Sequence, residues 1–149
     1  MKSIFNIDNN AELINRFDQL TITTPALWGK MNTAQMMAHC TASMNTAFGY
    51  SKNHRHWVGI FFGNFTKRRM LRAEQLDRNI PAYIKLRITD KRDFAKEKTQ
   101  LIALIKSIPA KGEAGLAKCP HPYFRHFKPC EWSQLNWKHL DHHLRQFGV

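Results

Sequence analysis

The stretch KHLDHHLRQFGV, residues 138–149, places His139, His142 and His143 within five positions. A neutral imidazole binds a divalent metal at roughly 2.0–2.1 Å, and two imidazoles one helical turn apart can reach the same ion. At about 100° per residue, His139 and His143 lie about 40° apart on a helix, and His142 lies about 60° to the other side of His139. The stripe through His139 and His143 also takes in Trp132, Leu135 and Gln146. Its two core-type residues predict that it faces inward, with His142 at the flank and Asp141 largely outward. With eight histidines in 149 residues, an HxxxH pair arises by chance about 0.4 times, so the spacing alone is a weak sign of a site. The inward face strengthens it, because an imidazole in a core costs free energy unless it finds a partner.

A third ligand has to come from another helix. His39, in TAQMMAHCTASM, has core-type neighbours in Met36 and Cys40. The usual explanation of such a residue is a core histidine bonded to a carbonyl, and that reading stays open beside ligation. His54 and His56 sit in a polar segment, and His121 and His126 in a long crossover, so none is as well placed. Three histidines from two helices leave coordination positions open, the pattern of a reactive centre and not of a closed structural one. Such an ion lowers the pKa of a bound water or thiol towards neutrality. No Asp or Glu stands beside the candidate ligands as a general base. Gln146 can orient a bound group and His142 can relay protons, but a satisfied core amide and an exposed helix residue explain them equally well. Cys40 is turned about 100° from His39 on a helix and reads as packing.

The elements that must position these residues are helical by their spacing. Leu13, Ile14, Phe17 and Leu20 share one face of a first helix, with Asn9 or Asn10 as its N-cap. Pro25 and Gly29 break the pattern in TITTPALWGKMN. Thr33 is expected to cap a second helix that runs to about Phe48 and stops at Gly49. HWVGIFFGNFTKRRMLRAEQL suggests a helix with aromatic faces, weakened by Gly59 and Gly63. The segment 80–89 fits a strand or irregular coil. Asp90 is expected to cap the next helix, whose apolar stripe runs from Phe94 to Ile108, and Pro109 to stop it. A Gly- and Pro-rich crossover spans 109–128, and Pro129 opens the last helix. Four amphipathic helices with one long crossover loop before the last predict a single all-α domain over 1–149, a four-helix bundle.

Composition bounds the rest. A chain of 149 residues that is 43% hydrophobic can bury a core without staples. No run approaches the roughly 20 apolar residues of a membrane helix. The start, MKSIFNIDNNAEL, lacks a signal-peptide core. Three cysteines without CxxC spacing read as reduced thiols, and together these features predict a cytoplasmic protein. The net charge of +12 is concentrated: 16 of the 23 basic residues lie between Lys52 and Lys118, with TKRRMLR at 66–72 the densest part. Such a run more often marks a solvated helix face than a binding groove.

Two stretches carry a resemblance. LWGKMNTAQMMAHC at 27–40 and HPYFRHFKPCEWSQLNWKHLDHHLRQFG at 121–148 resemble a small bacterial domain-of-unknown-function family of the DinB/YfiT-like superfamily of four-helix bundles. The resemblance implies a divalent metal held by one histidine of the second helix and an HxxxH pair of the last. These roles fall on His39, His139 and His143. The superfamily's last helix often reads HxxHHRGQ; His139, His142, His143 and Gln146 match it, while Leu144 and Arg145 replace its Arg-Gly. Superfamily members use such metals for thiol-dependent transfer or isomerisation, or for hydrolysis, and often form homodimers. The resemblance therefore implies a small-molecule substrate, with a low-molecular-weight thiol as one candidate, and zinc or nickel suits the imidazole ligands.

Two other readings remain. A nucleic-acid- or anion-binding module would use Arg68, Arg69 and Arg72 interleaved with Phe61, Phe62 and Phe65. A metal-bearing protein without catalysis would have the same ligands. The apolar WVGIFF at 57–62 is long enough to need a cover, which the homodimer would supply.

Overall fold

A computed structural model describes residues 2–50, 57–78, 86–116 and 127–149, with the backbone alone at 57–62 and 64. Among the described residues the regular structure is helical: α1 (Ile7–Asp18), α2 (Thr33–Ala47), α3 (Trp57–Arg72), α4 (Phe94–Lys111) and α5 (Pro129–Gln146), with a 3-10 turn at Glu113–Gly115. The all-helical class expected from periodicity holds there, but the helices number five instead of four. The additional one, α3, runs straight through Gly59 and Gly63. Interior glycines cost a helix about 1 kcal/mol each, and side chains from α5 tie down its far end. The Lys138 ammonium donates to the carbonyls of Met70, Leu71 and Ala73, and the Gln134 amide donates to Leu71. A cation on the last carbonyls of a helix is favourably placed against the dipole.

The helix starts differ from expectation by up to a turn. The cap of α1 is Asn6, whose side chain accepts from the Asn9 N–H. Asn32, not Thr33, caps α2, in a reciprocal box with Gln35. Asp93 caps α4 through the Lys96 N–H, because Asp90 is engaged with Arg92 at 3.0 Å. Pro129 does open α5, and the Glu131 carboxylate accepts the Lys128 N–H.

Pro109 does not end α4, which continues to Lys111. A proline there removes the N–H that would bond the Ile105 carbonyl four residues back. The buried Asn10 side chain of α1 supplies the missing donor: its amide nitrogen lies 3.3 Å from the Ile105 carbonyl and 2.7 Å from that of Ile4. The residue expected as a cap is thus a buried repair of the neighbouring helix.

One apolar core unites α1, α2, α4 and α5. Leu13 and Phe17 meet Met36, Met37, Cys40 and Met44, Leu101, Ile105 and Ile108, and Trp132, Leu140 and Leu144, all buried. Helix α3 packs on α5. Residues 79–85 and 117–126, which hold most of the proposed strand and of the crossover, lie outside the described residues; 87–89 are irregular. No helix among the described residues is long and apolar enough to cross a membrane.

Candidate metal centre

Helices α2 and α5 place His39, His139 and His143 around one point. Their ligand-capable nitrogens all lie within 4.8 Å of one another, with His39 and His143 buried and His139 partly buried. His139 Nε2 lies 3.1 Å from His39 Nε2 and 3.2 Å from His143 Nε2. Nitrogens bound at 2.0–2.1 Å to a tetrahedral ion are about 3.3 Å apart. Two of the three separations are therefore those of ligands around a single small ion, and the third is bounded at 4.8 Å.

Hydrogen bonds on the far side of two rings fix which nitrogen carries a proton. His39 Nδ1 meets the Leu86 carbonyl at 2.8 Å, which can only accept, so Nδ1 bears the hydrogen. His143 Nδ1 meets Gln146 Oε1 at 2.8 Å, and the Gln146 amide is oriented by donating its Nε2 to the Trp28 carbonyl at 2.7 Å. Burial holds His143 neutral, lowering its pKa to about 3 with a smaller contribution from the charge of His39. Burial lowers His39 too, against the opposing Leu86 bond. A neutral imidazole protonated at Nδ1 offers a lone pair at Nε2. Two lone pairs thus converge on His139 Nε2, which has at most one proton to share between them. A cation satisfies all three nitrogens at once, and outer bonds of this kind orient metal-bound histidines generally. These three residues could hold a metal ion.

The surroundings were less readable. His142 flanks the group as expected: its ring lies 5.2 Å from that of His143 and 5.8 Å, edge-on, from Trp28. Burial lowers its pKa, and the Leu76 carbonyl accepts its hydrogen bond. Gln146 orients His143 and Trp28; both ends of its amide are engaged within the protein. Asp141 does not face solvent. It is buried, with one oxygen 2.7 Å from Arg16 and the other 2.8 Å from Arg145, which joins α1 to α5 beside the centre. Burial pushes the Cys40 thiol up, and its sulfur rests 3.7 Å from that of Met36, in keeping with a packing role.

Leu86, Trp28 and Arg78 were not among the expected site residues. Trp28 lies in the Pro- and Gly-broken stretch, where no helical period points at a partner, and the Arg78 guanidinium covers its ring at 4.4 Å. His54, His56, His121 and His126 lie outside the described residues, as do the side chains of Phe61 and Phe62. Phe65 is 74% exposed, beside exposed Arg68, Arg69 and Arg72. Arg69 pairs with Asp77 at 2.7 Å, and Lys67 pairs with Glu131 at 2.5 Å.

Fold and site together define an all-helical protein, among its described residues, with a three-histidine cluster able to take a metal. The chain belongs to the family described as protein of unknown function, DUF1569, whose model matches residues 2–148. No curated protein and no solved structure matches it.

Proposed function

We propose that this chain is a divalent-metal protein of the DinB/YfiT-like kind, a single domain acting in the cytoplasm, with His39, His139 and His143 as ligands and zinc or nickel as the ion. We further propose that it is an enzyme acting on a small molecule, by thiol-dependent transfer or isomerisation or by hydrolysis. The carrying observation is the convergence of two oriented Nε2 lone pairs on the third imidazole. A divalent ion on three neutral imidazoles leaves coordination positions for a substrate and supplies Lewis acidity at neutral pH. The chain's own residues set the environment. Leu86 and Gln146 fix the ligand tautomers, and Trp28 and His142 form an aromatic flank.

The test is metal analysis of protein purified without chelator, followed by a screen of the loaded protein with thiol acceptors and ester or amide substrates. About one zinc or nickel per chain is expected, with turnover of one substrate class. Absence of bound metal would sink the ligand set. Full metal without turnover would leave a non-catalytic metal protein.

A second reading, an anion- or nucleic-acid-binding face on α3, rests on exposed Phe65 among Arg68, Arg69 and Arg72. It predicts oligonucleotide affinity that falls steeply with salt and ignores chelators. The paired states of Lys67 and Arg69 weigh against it.

A further inference from the structure

The acidic side chains next in sequence to the α5 histidines and to Arg78 are already engaged. Asp141 is held by Arg16 and Arg145, and Asp77, next to Arg78 in sequence, is held by Arg69 at 2.7 Å. Arg78 makes no ion pair among the described residues. Its guanidinium carbon sits 4.4 Å from the centre of the Trp28 ring, on an exposed side chain. Trp28 in turn abuts His142, and its carbonyl is bonded to the Gln146 amide that orients His143. A solvated surface arginine needs no such seat. This one is seated over Trp28, whose ring abuts His142 at the edge of the histidine cluster.

A guanidinium held over an indole by cation–π attraction still has N–H donors to offer, and its planar fork matches a carboxylate. We propose that Arg78 is an anion-recognition residue of this centre, taking the carboxylate of a small substrate whose other end reaches the three histidines. The proposal rests on the metal reading for that second end; the anion contact itself does not need the ion. Trp28 is then a positioning residue, holding the guanidinium at a set place relative to His143 through Gln146. The favoured substrates are small carboxylates with a metal-seeking donor, and their neutral esters are discriminated against.

The test uses cobalt(II)-loaded protein and two probes, 3-mercaptopropionate and its methyl ester, which share the thiol and differ in charge. Cobalt absorption reads thiol binding, and the Trp28 indole N–H signal, assigned by its loss in Trp28→Phe, reads the anion contact. The carboxylate is expected to bind about tenfold more tightly than the ester, the size of one good charge-assisted bond. Arg78→Gln should erase that ratio while ester binding stays as in wild type, and Arg78→Lys should restore part of it. Propionate added to metal-free protein should move the Trp28 signal in wild type and not in Arg78→Gln. Equal affinity of the two probes for the wild type, or a ratio that survives Arg78→Gln, overturns the proposal. Protein that takes up no cobalt overturns the metal reading instead. In that case the propionate arm decides the role of Arg78: a Trp28 signal that moves and is lost in Arg78→Gln supports it, and an unmoved signal sinks it.

Discussion

The Gln146 side chain lies so close to Gly29 that a Cβ at position 29 would overlap its amide nitrogen, and Gly29 has φ of +82°. That approach lets one amide do two things. It donates to the Trp28 carbonyl and accepts from His143, so the turn before α2 is registered against the last turn of α5.

Gly29→Ala is therefore expected to act at the metal centre without touching a ligand. A side chain at that φ costs about 1–3 kcal/mol, and the overlap pushes Gln146 off His143. Thermal denaturation should show the lost stability, and zinc titration should show affinity lowered about 10–100-fold, as for other disturbed outer-sphere partners. Wild-type affinity in this variant would mean that Gln146 does not orient the ligand.

Asn10 and Pro109 give a test of the fold by itself. Asn10→Ala leaves the Ile105 carbonyl buried without the donor it takes from the neighbouring helix, at a cost of about 1–3 kcal/mol. In a Pro109→Ala background the backbone N–H is restored and the same change should cost less, the loss of the 2.7 Å bond to the Ile4 carbonyl remaining in both. A double-mutant cycle by urea denaturation reads this coupling directly. Additive effects would show that the two residues are independent.

What could be read from the sequence, and what could not, follows from the range of each interaction. His139, His143 and Gln146 share one helix, so a single angular period put them on one face, and the structure brings them together with His39. Asp141 lies on that same helix, where the period predicts an outward face, but its burial is decided by Arg16 from α1. Leu86, Trp28 and Arg78 reach the centre from irregular segments, where no period links a residue to its partner. The continuation of α4 past Pro109 has the same origin: local chemistry says stop, and a side chain from another helix supplies the missing donor.

Metal should stabilise the folded state by about 2.7 kcal/mol when free ion is 100 times its dissociation constant. Chelation is expected to lower the melting temperature of the wild type. His39→Ala or His143→Ala should remove most of the difference between metal-loaded and chelated protein, and His142→Ala should keep it. An unaltered chelator effect in a His39→Ala, His143→Ala double variant would place the ion elsewhere.

The metal-free protein has an acid limb of its own. Burial lowers the pKa of His39, His142 and His143 from the ordinary 6.5, that of His143 to about 3. Below about pH 6.5 the unfolded chain binds protons that the folded chain refuses, so stability is fully present above that pH and falls as pH drops. Urea midpoints of chelated protein should decline between pH 7 and 5, where most carboxylates are still ionised. His143→Asn should flatten the decline. A level profile in the wild type would contradict the buried neutral state of these rings.

Gln146→Glu separates the two contacts of that side chain. A carboxylate still accepts the His143 Nδ1–H, and its charge is compatible with a cation beyond the ring, so metal affinity should stay within about tenfold of wild type. It has no N–H to offer the Trp28 carbonyl, and two oxygens in that position repel. Trp28 should therefore shift, read from its indole signal, while the ligand set holds. Gln146→Leu loses both contacts and should weaken metal binding about 10–100-fold. The buried carboxylate of Gln146→Glu is costly without a nearby cation, so metal should raise its melting temperature by more than it raises that of wild type. Equal loss of metal in the Glu and Leu variants would show that the bond to Trp28, and not the acceptor on His143, is what keeps the centre in place.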